Sequence, residues 1–315
     1  MGGHRVLAAA AALLALCAWS ATAGAGAAYE PEAVVRHADR VGTFALARNG
    51  SRFVAAGERG RILVSDDQGG TWKVAETPTH HTLTSVFFSD ANVGFATGHQ
   101  GVLLRTQDGG SSWQQASVEM KDKPALFAVH VEGDRGIAVG AYGAYLESTD
   151  AGRTWHARHI GPADFDHHLT GIAAYAPGRV ILVGEAGTLL ATTDGGANWQ
   201  LLKSPYEGSF FGAVAAANGN VIAFGMRGNA WRTSDGGRSW NRVNLGTYNG
   251  ALQGGVRMAD DALVLSGADG MIATSHDNGV TFEAKPLPSR TTIAAILRSA
   301  LGWVIASPAG LRVVP

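Results

Sequence analysis

The sequence predicts an all-β protein, a seven-bladed β-propeller written from one repeated unit. Three observations carry this. One octapeptide occurs six times: Ser65–Trp72, Thr106–Trp113, Ser148–Trp155, Thr192–Trp199, Thr233–Trp240 and Ser275–Phe282. Its third position is always Asp, at 67, 108, 150, 194, 235 and 277, with spacings of 41, 42, 44, 41 and 42. A Gly-x-x-Gly tetrapeptide precedes each copy, beginning at Gly57, Gly98, Gly140, Gly184, Gly225 and Gly267. A fixed period of this length, with four short β-rich runs per unit, is the signature of propeller blades.

One unit justifies the elements in order. In residues 126–159, LFAVHV is a first run rich in β-formers and GIAVG a second. AYLEST follows the Gly-x-x-Gly turn, and TWHARHI follows the Asp turn. No segment after residue 28 keeps a 3.6-residue apolar period. A degenerate seventh turn is Ser307-Pro308-Ala309-Gly310, and only five residues follow it. The last blade therefore lacks an outer strand. Glu32–Arg36 (EAVVR) is the expected replacement, an N-terminal strand that closes the ring and hides its edges. Residues 29–315 then form a single seven-bladed domain.

Each octapeptide reads as a turn. Asp67, Asp108, Asp150, Asp194, Asp235 and Asp277 can accept N–H bonds from their own turns, as Asx motifs do. The glycine two residues on permits a positive φ. Trp72, Trp113, Trp155, Trp199, Trp240 and Phe282 are expected between neighbouring sheets. Burying one indole contributes on the order of 4–6 kcal/mol, an upper bound. A lone carboxylate per turn falls far short of a calcium site, which needs six to eight oxygens.

Composition excludes several classes. The 315 residues hold 25 Lys and Arg against 26 Asp and Glu, a formal charge of -1. That balance argues against a dedicated nucleic-acid binder. One cysteine excludes an internal disulfide framework and a Cys-based zinc cluster. No cofactor or resident metal is expected. At the N-terminus, His4 and Arg5 precede an apolar run, Val6–Ala18, and then small residues from Ser20 to Ala28. This is the three-part pattern of a secretory signal peptide, here residues 1–28, with cleavage after Ala28 favoured over Ala23. The apolar run is short for a membrane span. Leu16 before Cys17, in place of a small residue, argues against lipidation. The expected location is the periplasm or the medium.

The octapeptides fit the S/T-x-D-x-G-x-T/S-W consensus of the Asp-box, or BNR, repeat. Among Asp-box proteins, this chain most resembles the photosystem II stability and assembly factor family. The resemblance covers essentially the whole chain after residue 28. It implies a non-enzymatic assembly factor that binds a membrane protein or complex on its extracytoplasmic side, in the thylakoid lumen if the host is photosynthetic; the chain itself is expected to be a monomer. It also implies an arginine-rich binding surface. Here the turn arginines Arg59, Arg227 and Arg290 are few and interspersed with acids, and no binding residue is carried over from the family.

Strand alternation puts the Gly-x-x-Gly turns on one face and the Asp boxes on the other. The first face would present Glu58, Arg59, His99, Gln100, Tyr142, Glu185, Arg227, Asp269 and Arg290, a mixed set suited to protein recognition. Two other readings use the same face. Glu58, Glu185 and Asp269 could pair as carboxylates of a sialidase-like glycosidase, although the Arg-Ile-Pro segment of that class is absent. His80, His81, His99, His167 and His168, with Asp164 and Asp166, could converge on zinc or copper. A third class is an accessory protein of an envelope transporter.

Overall fold

A computed structural model describes residues 38–315. The proposed signal peptide and the expected closing strand, Glu32–Arg36, lie outside the described residues. The described residues form seven sheets, antiparallel but for one added strand. Blade 1 is β1 (Thr43–Asn49), β2 (Arg52–Gly57), β3 (Ile62–Ser65) and β4 (Lys73–Val74). Blade 2 is β5 (Leu83–Phe88), β6 (Gly94–Gly98), β7 (Leu103–Thr106) and β8 (Gln114–Gln115). A short strand β9 (Ser117–Glu119) precedes blade 3, which is β10 (Leu126–Glu132), β11 (Arg135–Gly140), β12 (Tyr145–Ser148) and β13 (Thr154–Ala157). Blade 4 is β14 (Leu169–Ala176), β15 (Arg179–Gly184), β16 (Leu189–Thr192) and β17 (Gln200–Leu201). Blade 5 is β18 (Phe210–Ala215), β19 (Val221–Gly225), β20 (Ala230–Thr233) and β21 (Asn241–Arg242). Blade 6 is β22 (Leu252–Arg257), β23 (Leu263–Gly267), β24 (Ile272–Ser275) and β25 (Glu283–Ala284). Blade 7 is β26 (Ala295–Ser299), β27 (Gly302–Ser307) and β28 (Gly310–Val314).

The first strand of each blade packs on the first strand of the next, and β26 returns to β1, so the sheets form a closed ring. The protein is a seven-bladed β-propeller. Blade 7 has three strands among the described residues. A helical turn at Ala38–Arg40 packs against β28, so the chain enters the ring beside its last strand. Blade 3 departs from the four-strand expectation: β9 adds to β13 in parallel as a fifth strand. His156 and Glu119 pair at 3.0 Å across this addition.

Sequence explains the layering. Second strands are buried on both faces, so they read as unbroken apolar or small runs such as Phe53–Gly57 and Val180–Gly184. First strands converge on the axis, where space is short. A Cβ at Gly171 of β14 would stand 2.8 Å from the Cα of Gly212 in β18. Alanine and glycine are accordingly frequent in the first strands of blades 4, 5 and 6 (β14, β18 and β22).

The Asp boxes are compact hydrogen-bonded units. Asp150 Oδ1 accepts the backbone N–H groups of Arg153 and Thr154, each at 2.9 Å. Its carboxylate also accepts hydroxyl bonds from Ser148 at 2.8 Å and Thr154 at 2.7 Å. The Ser148 hydroxyl in turn accepts the N–H of Gly152 at 3.0 Å. The other five boxes repeat the bond from the backbone N–H four residues on: Thr71, Ser112, Asn198, Ser239 and Thr281 donate at 2.8–3.0 Å. Three indoles also donate to their own box: Trp113, Trp155 and Trp240 reach a glycine carbonyl at 3.0–3.2 Å.

These bonds favour the ionised carboxylates. The backbone N–H and side-chain amide of Asn198 hold Asp194 at about 2. Asp235 and Asp277 also sit at about 2, held chiefly by the Ser239 and Thr281 hydroxyls and backbone N–H groups. Asp150 lies lower still, through the Thr154 backbone N–H and hydroxyl. At Asp67 and Asp108 burial opposes the shift, and the turn bonds outweigh it. A carboxylate whose folded pKa is depressed stabilises the fold above its unfolded value near 4. That contribution is lost as pH falls through the folded value. The urea midpoint is therefore expected to drop steeply between about pH 4 and pH 2, and less steeply in Asp194→Asn/Asp235→Asn. A midpoint flat across that window would contradict the depressed values.

Candidate functional site

The Gly-x-x-Gly turns build one face from a shared geometry. In blade 1, Gly57 N–H donates to Arg61 O at 3.1 Å, and Glu58 N–H donates to Gly42 O at 2.9 Å. The second bond ties the turn to the connection that leads into β1. The equivalent ties are His99 to Thr82 O, Ala141 to Ala125 O, Glu185 to His168 O, Met226 to Ser209 O and Ala268 to Ala251 O. The first glycine is needed for this approach, since a Cβ at Gly57 would land on Gly42 O.

The third residue of each turn is left-handed and is not glycine. Arg59, Gln100, Tyr142, Ala186, Arg227 and Asp269 have φ between 49° and 58°. Arg290, in the last connection, has φ 46°. All seven are exposed. Left-handed backbone costs an L-residue roughly 1–2 kcal/mol, and such strain gathers where side chains are displayed for function. Six equivalent positions thus hold six side chains outward on one face, and their chemistry varies: two cations, one anion, one amide, one phenol and one methyl.

A second ring lies inside the first. The pairing of first and second strands skips one residue in each of six blades, between Thr43 and Ala45, Leu83 and Ser85, Leu126 and Ala128, Leu169 and Gly171, Phe210 and Gly212, and Leu252 and Gly254. The skipped residues are Phe44, Thr84, Phe127, Thr170, Phe211 and Gln253, at the turn-face end of each first strand. A bulge frees its residue from the ladder and re-aims its side chain. Thr84 donates to Leu126 O of the next blade, and Thr170 donates to Phe210 O of its next blade at 2.8 Å. These threonines latch one blade to another. Phe44, Phe127 and Phe211 stand in alternate blades and are half-buried.

The two rings meet at blades 3 and 4. The Tyr142 ring is 74% exposed and stands edge-on to His168, with centroids 4.8 Å apart. His168 Nδ1 accepts the Tyr142 backbone N–H at 3.0 Å. Glu185 Oε2 lies 3.6 Å from the same nitrogen and accepts the His168 backbone N–H at 3.2 Å. Phe127 stands 6.2 Å from His168. In blade 2 and its flanking connections, His80, His81, Gln100, Met120 and Lys123 line a groove of about 700 Å³. Tyr248 is a fastener of the same face: its hydroxyl bonds Ala251 O at 3.0 Å and Ala268 O at 3.1 Å. Burial, then the charge of Asp269, pushes it up to about 12, so it stays a donor.

The structure places Glu58, Arg59, His99, Gln100, Tyr142, Glu185, Arg227 and Asp269 in six equivalent turns, with Arg290 in the last connection. Of the histidines considered for a metal, His167 Nδ1 bonds Thr188 Oγ1 at 2.8 Å, while His168 serves Tyr142. Among the described residues, no group of three or more His, Cys, Asp or Glu could hold a metal ion. Glu58, Glu185 and Asp269 stand in blades 1, 4 and 6, no two of them adjacent. Sequence reasoning missed the bulged phenylalanines. Their one signal is a shared column: Phe44, Phe127 and Phe211 each directly follow the first residue of a first strand.

Fold and turns together define an Asp-box propeller, seven sheets in a ring with six exposed left-handed side chains at one end. Residues 64–249 and 160–310 match the family model described as photosynthesis system II assembly factor YCF48, and the chain belongs to that family. It is similar to the photosystem II assembly lipoprotein Ycf48 of Synechococcus sp. (strain CC9902), 26% identical over 41% of this chain and 39% of that protein. It is also similar to the chloroplastic photosystem II stability/assembly factor HCF136 of Cyanidioschyzon merolae (strain NIES-3377 / 10D), 30% identical over 50% of this chain and 36% of that protein. The chain thus spans less than two fifths of the length of these two curated relatives. A solved structure described as YCF48 bound to D1 peptide shares the fold, with a TM-score of 0.69 and 17% identity over 91% of this chain and 96% of that one. No helix among the described residues is long and apolar enough to cross a membrane.

Proposed function

We propose that this chain is a non-enzymatic assembly scaffold that holds an exposed segment of a membrane protein against its Gly-x-x-Gly face, outside the cytoplasm. The observation that carries the reading is the ring of six left-handed side chains on one face. Left-handed non-glycine residues also stand in three Asp boxes, at Gln68, Ala151 and Asn278. What marks the Gly-x-x-Gly turns is recurrence: all six carry one, exposed and chemically varied, which suits display to a partner. Family membership and the peptide-bound structural neighbour support the same reading and point to a D1-like subunit as the class of client. Export rests on residues 1–28, with cleavage after Ala28 leaving one propeller domain from Tyr29.

The test places a photo-crosslinking residue at Gln100 in the tagged full chain in cells, followed by mass spectrometry of the adducts. One membrane subunit, crosslinked through its extracytoplasmic segment and lost in Arg59→Glu/Arg227→Glu, is the expected result. Adducts unchanged by that variant, or no membrane adduct with the protein exported and folded, would overturn the reading.

A further inference from the structure

Blades 3 and 4 meet on the turn face in an aromatic corner. Tyr142, 74% exposed, is the most open of the large hydrophobic residues described. It stands edge-on to His168, and Phe127 is tilted at 51° to the same imidazole, 6.2 Å away. Neither Tyr142 nor Phe127 joins an apolar core cluster among the described residues. Packing therefore does not account for a phenol held outward on left-handed backbone. Blade 4 has Ala186 at the equivalent position, so the turn itself does not need the ring.

The charge at this corner is unbalanced. His168 Nδ1 accepts the Tyr142 backbone N–H at 3.0 Å, so that nitrogen carries no proton. The imidazole is then neutral, and its 3.6 Å approach to Glu185 Oε2 is not an ion pair. No Lys or Arg pairs with Glu185 among the described residues. Around it, residues 140–143, 159–171 and 184–187 hold Asp164 and Asp166 and no Lys or Arg. The cations of the face stand elsewhere: Arg59 in blade 1, Lys121 and Lys123 after blade 2, Arg227 in blade 5 and Arg290 after blade 6.

We propose that this corner takes an arginine side chain of the client. A guanidinium stacks on aromatic faces, which are electron-rich, and its planar fork matches a carboxylate. Tyr142 offers the open ring and Glu185 the carboxylate. His168 ties both to one place, through its Nδ1 to the Tyr142 N–H and through its own backbone N–H to Glu185. A lysine would bring the charge without the fork. That the arginine belongs to a client rests on the scaffold proposal. The corner adds a chemistry of opposite sign to the anionic groups that Arg59 and Arg227 suit.

Fluorine NMR of the full chain carrying 3-fluorotyrosine tests the corner, with Tyr142→Ala assigning the Tyr142 signal. That variant should fold, since Ala186 holds the same backbone in blade 4. The probes are N-acetyl-arginine methylamide and its neutral isostere, N-acetyl-citrulline methylamide. Arginine should shift the Tyr142 signal saturably, with citrulline binding about fivefold more weakly or worse. Glu185→Gln keeps an acceptor for the His168 N–H and should weaken arginine binding by about the same factor. An unmoved Tyr142 signal, or equal binding of the two probes, would overturn the site. Unchanged arginine binding in Glu185→Gln would overturn the role of the carboxylate. In cells, Glu185→Gln should lower the yield of Gln100 adducts by about threefold or more. Full adduct yield in that variant would overturn the client's arginine as the occupant and leave the scaffold reading standing. A Tyr142 response with no adduct from the unsubstituted face would uphold the corner and sink the scaffold reading.

Discussion

Replacing Trp155 by alanine is expected to destabilise the protein by about 3–5 kcal/mol, the largest single-residue effect in the propeller. Trp155 is completely buried and packs edge-on against Phe95 of blade 2, with ring centroids 6.0 Å apart. Its indole N–H bonds Gly152 O at 3.1 Å, so truncation also strips the Asp box of its internal bond. The neighbours cannot collapse into the space, because Phe95, Leu103 and Leu146 already sit between paired strands. Trp199, doing the same work one blade on, is only half-buried. Its alanine variant should lose less, about 2–3 kcal/mol, as less area leaves water. Urea midpoints at constant m-value measure both. A Trp155→Ala loss below that of Trp199→Ala would show that burial at the junction does not set the cost.

The double variant Arg59→Gly/Arg227→Gly should separate binding from stability. Glycine relieves about 1–2 kcal/mol of left-handed strain at each position. It also gives the unfolded chain more freedom, which offsets roughly 0.5–1 kcal/mol. The melting temperature should therefore hold or rise by a few degrees, while client capture falls at least tenfold through loss of both cations. A fall in melting temperature at unchanged capture would mean that the two arginines serve the fold alone. Two further variants report on the second ring. Phe127→Ser and Phe211→Ser should weaken capture if the bulged rings touch the client.

Much of the propeller was legible because its defining interactions are local. Each Asp box closes within eight residues, and each Gly-x-x-Gly turn within five, so the motif and the bonds it makes are the same stretch of chain. Six copies at near-constant spacing and a truncated seventh then imply the blade count. The candidate face followed from strand alternation, which puts all turns of one kind at one end.

What escaped the sequence depends on partners far along the chain. The bulges at Phe44, Phe127 and Phe211 exist only against the register of the next strand. The fifth strand, Ser117–Glu119, carries no more β-signal than many loops and is recruited by the free edge of Thr154–Ala157. The paired histidines read alike in sequence, yet His167 turns to Thr188 and His168 to Tyr142, because neighbouring residues in an extended connection point to opposite sides.

The repeat, the number of blades, the turn at each Asp and Gly pair, and the sharing of a face were all readable along the chain. Those follow from bonds spanning a few residues and from the two-residue period of a strand. Contacts across blades came from the folded ring alone: the Tyr142, His168 and Glu185 cluster and the threonine latches. Ring closure brings β26 and β1 together across nearly the whole described chain, and contacts of that kind depend on packing geometry that no local pattern records.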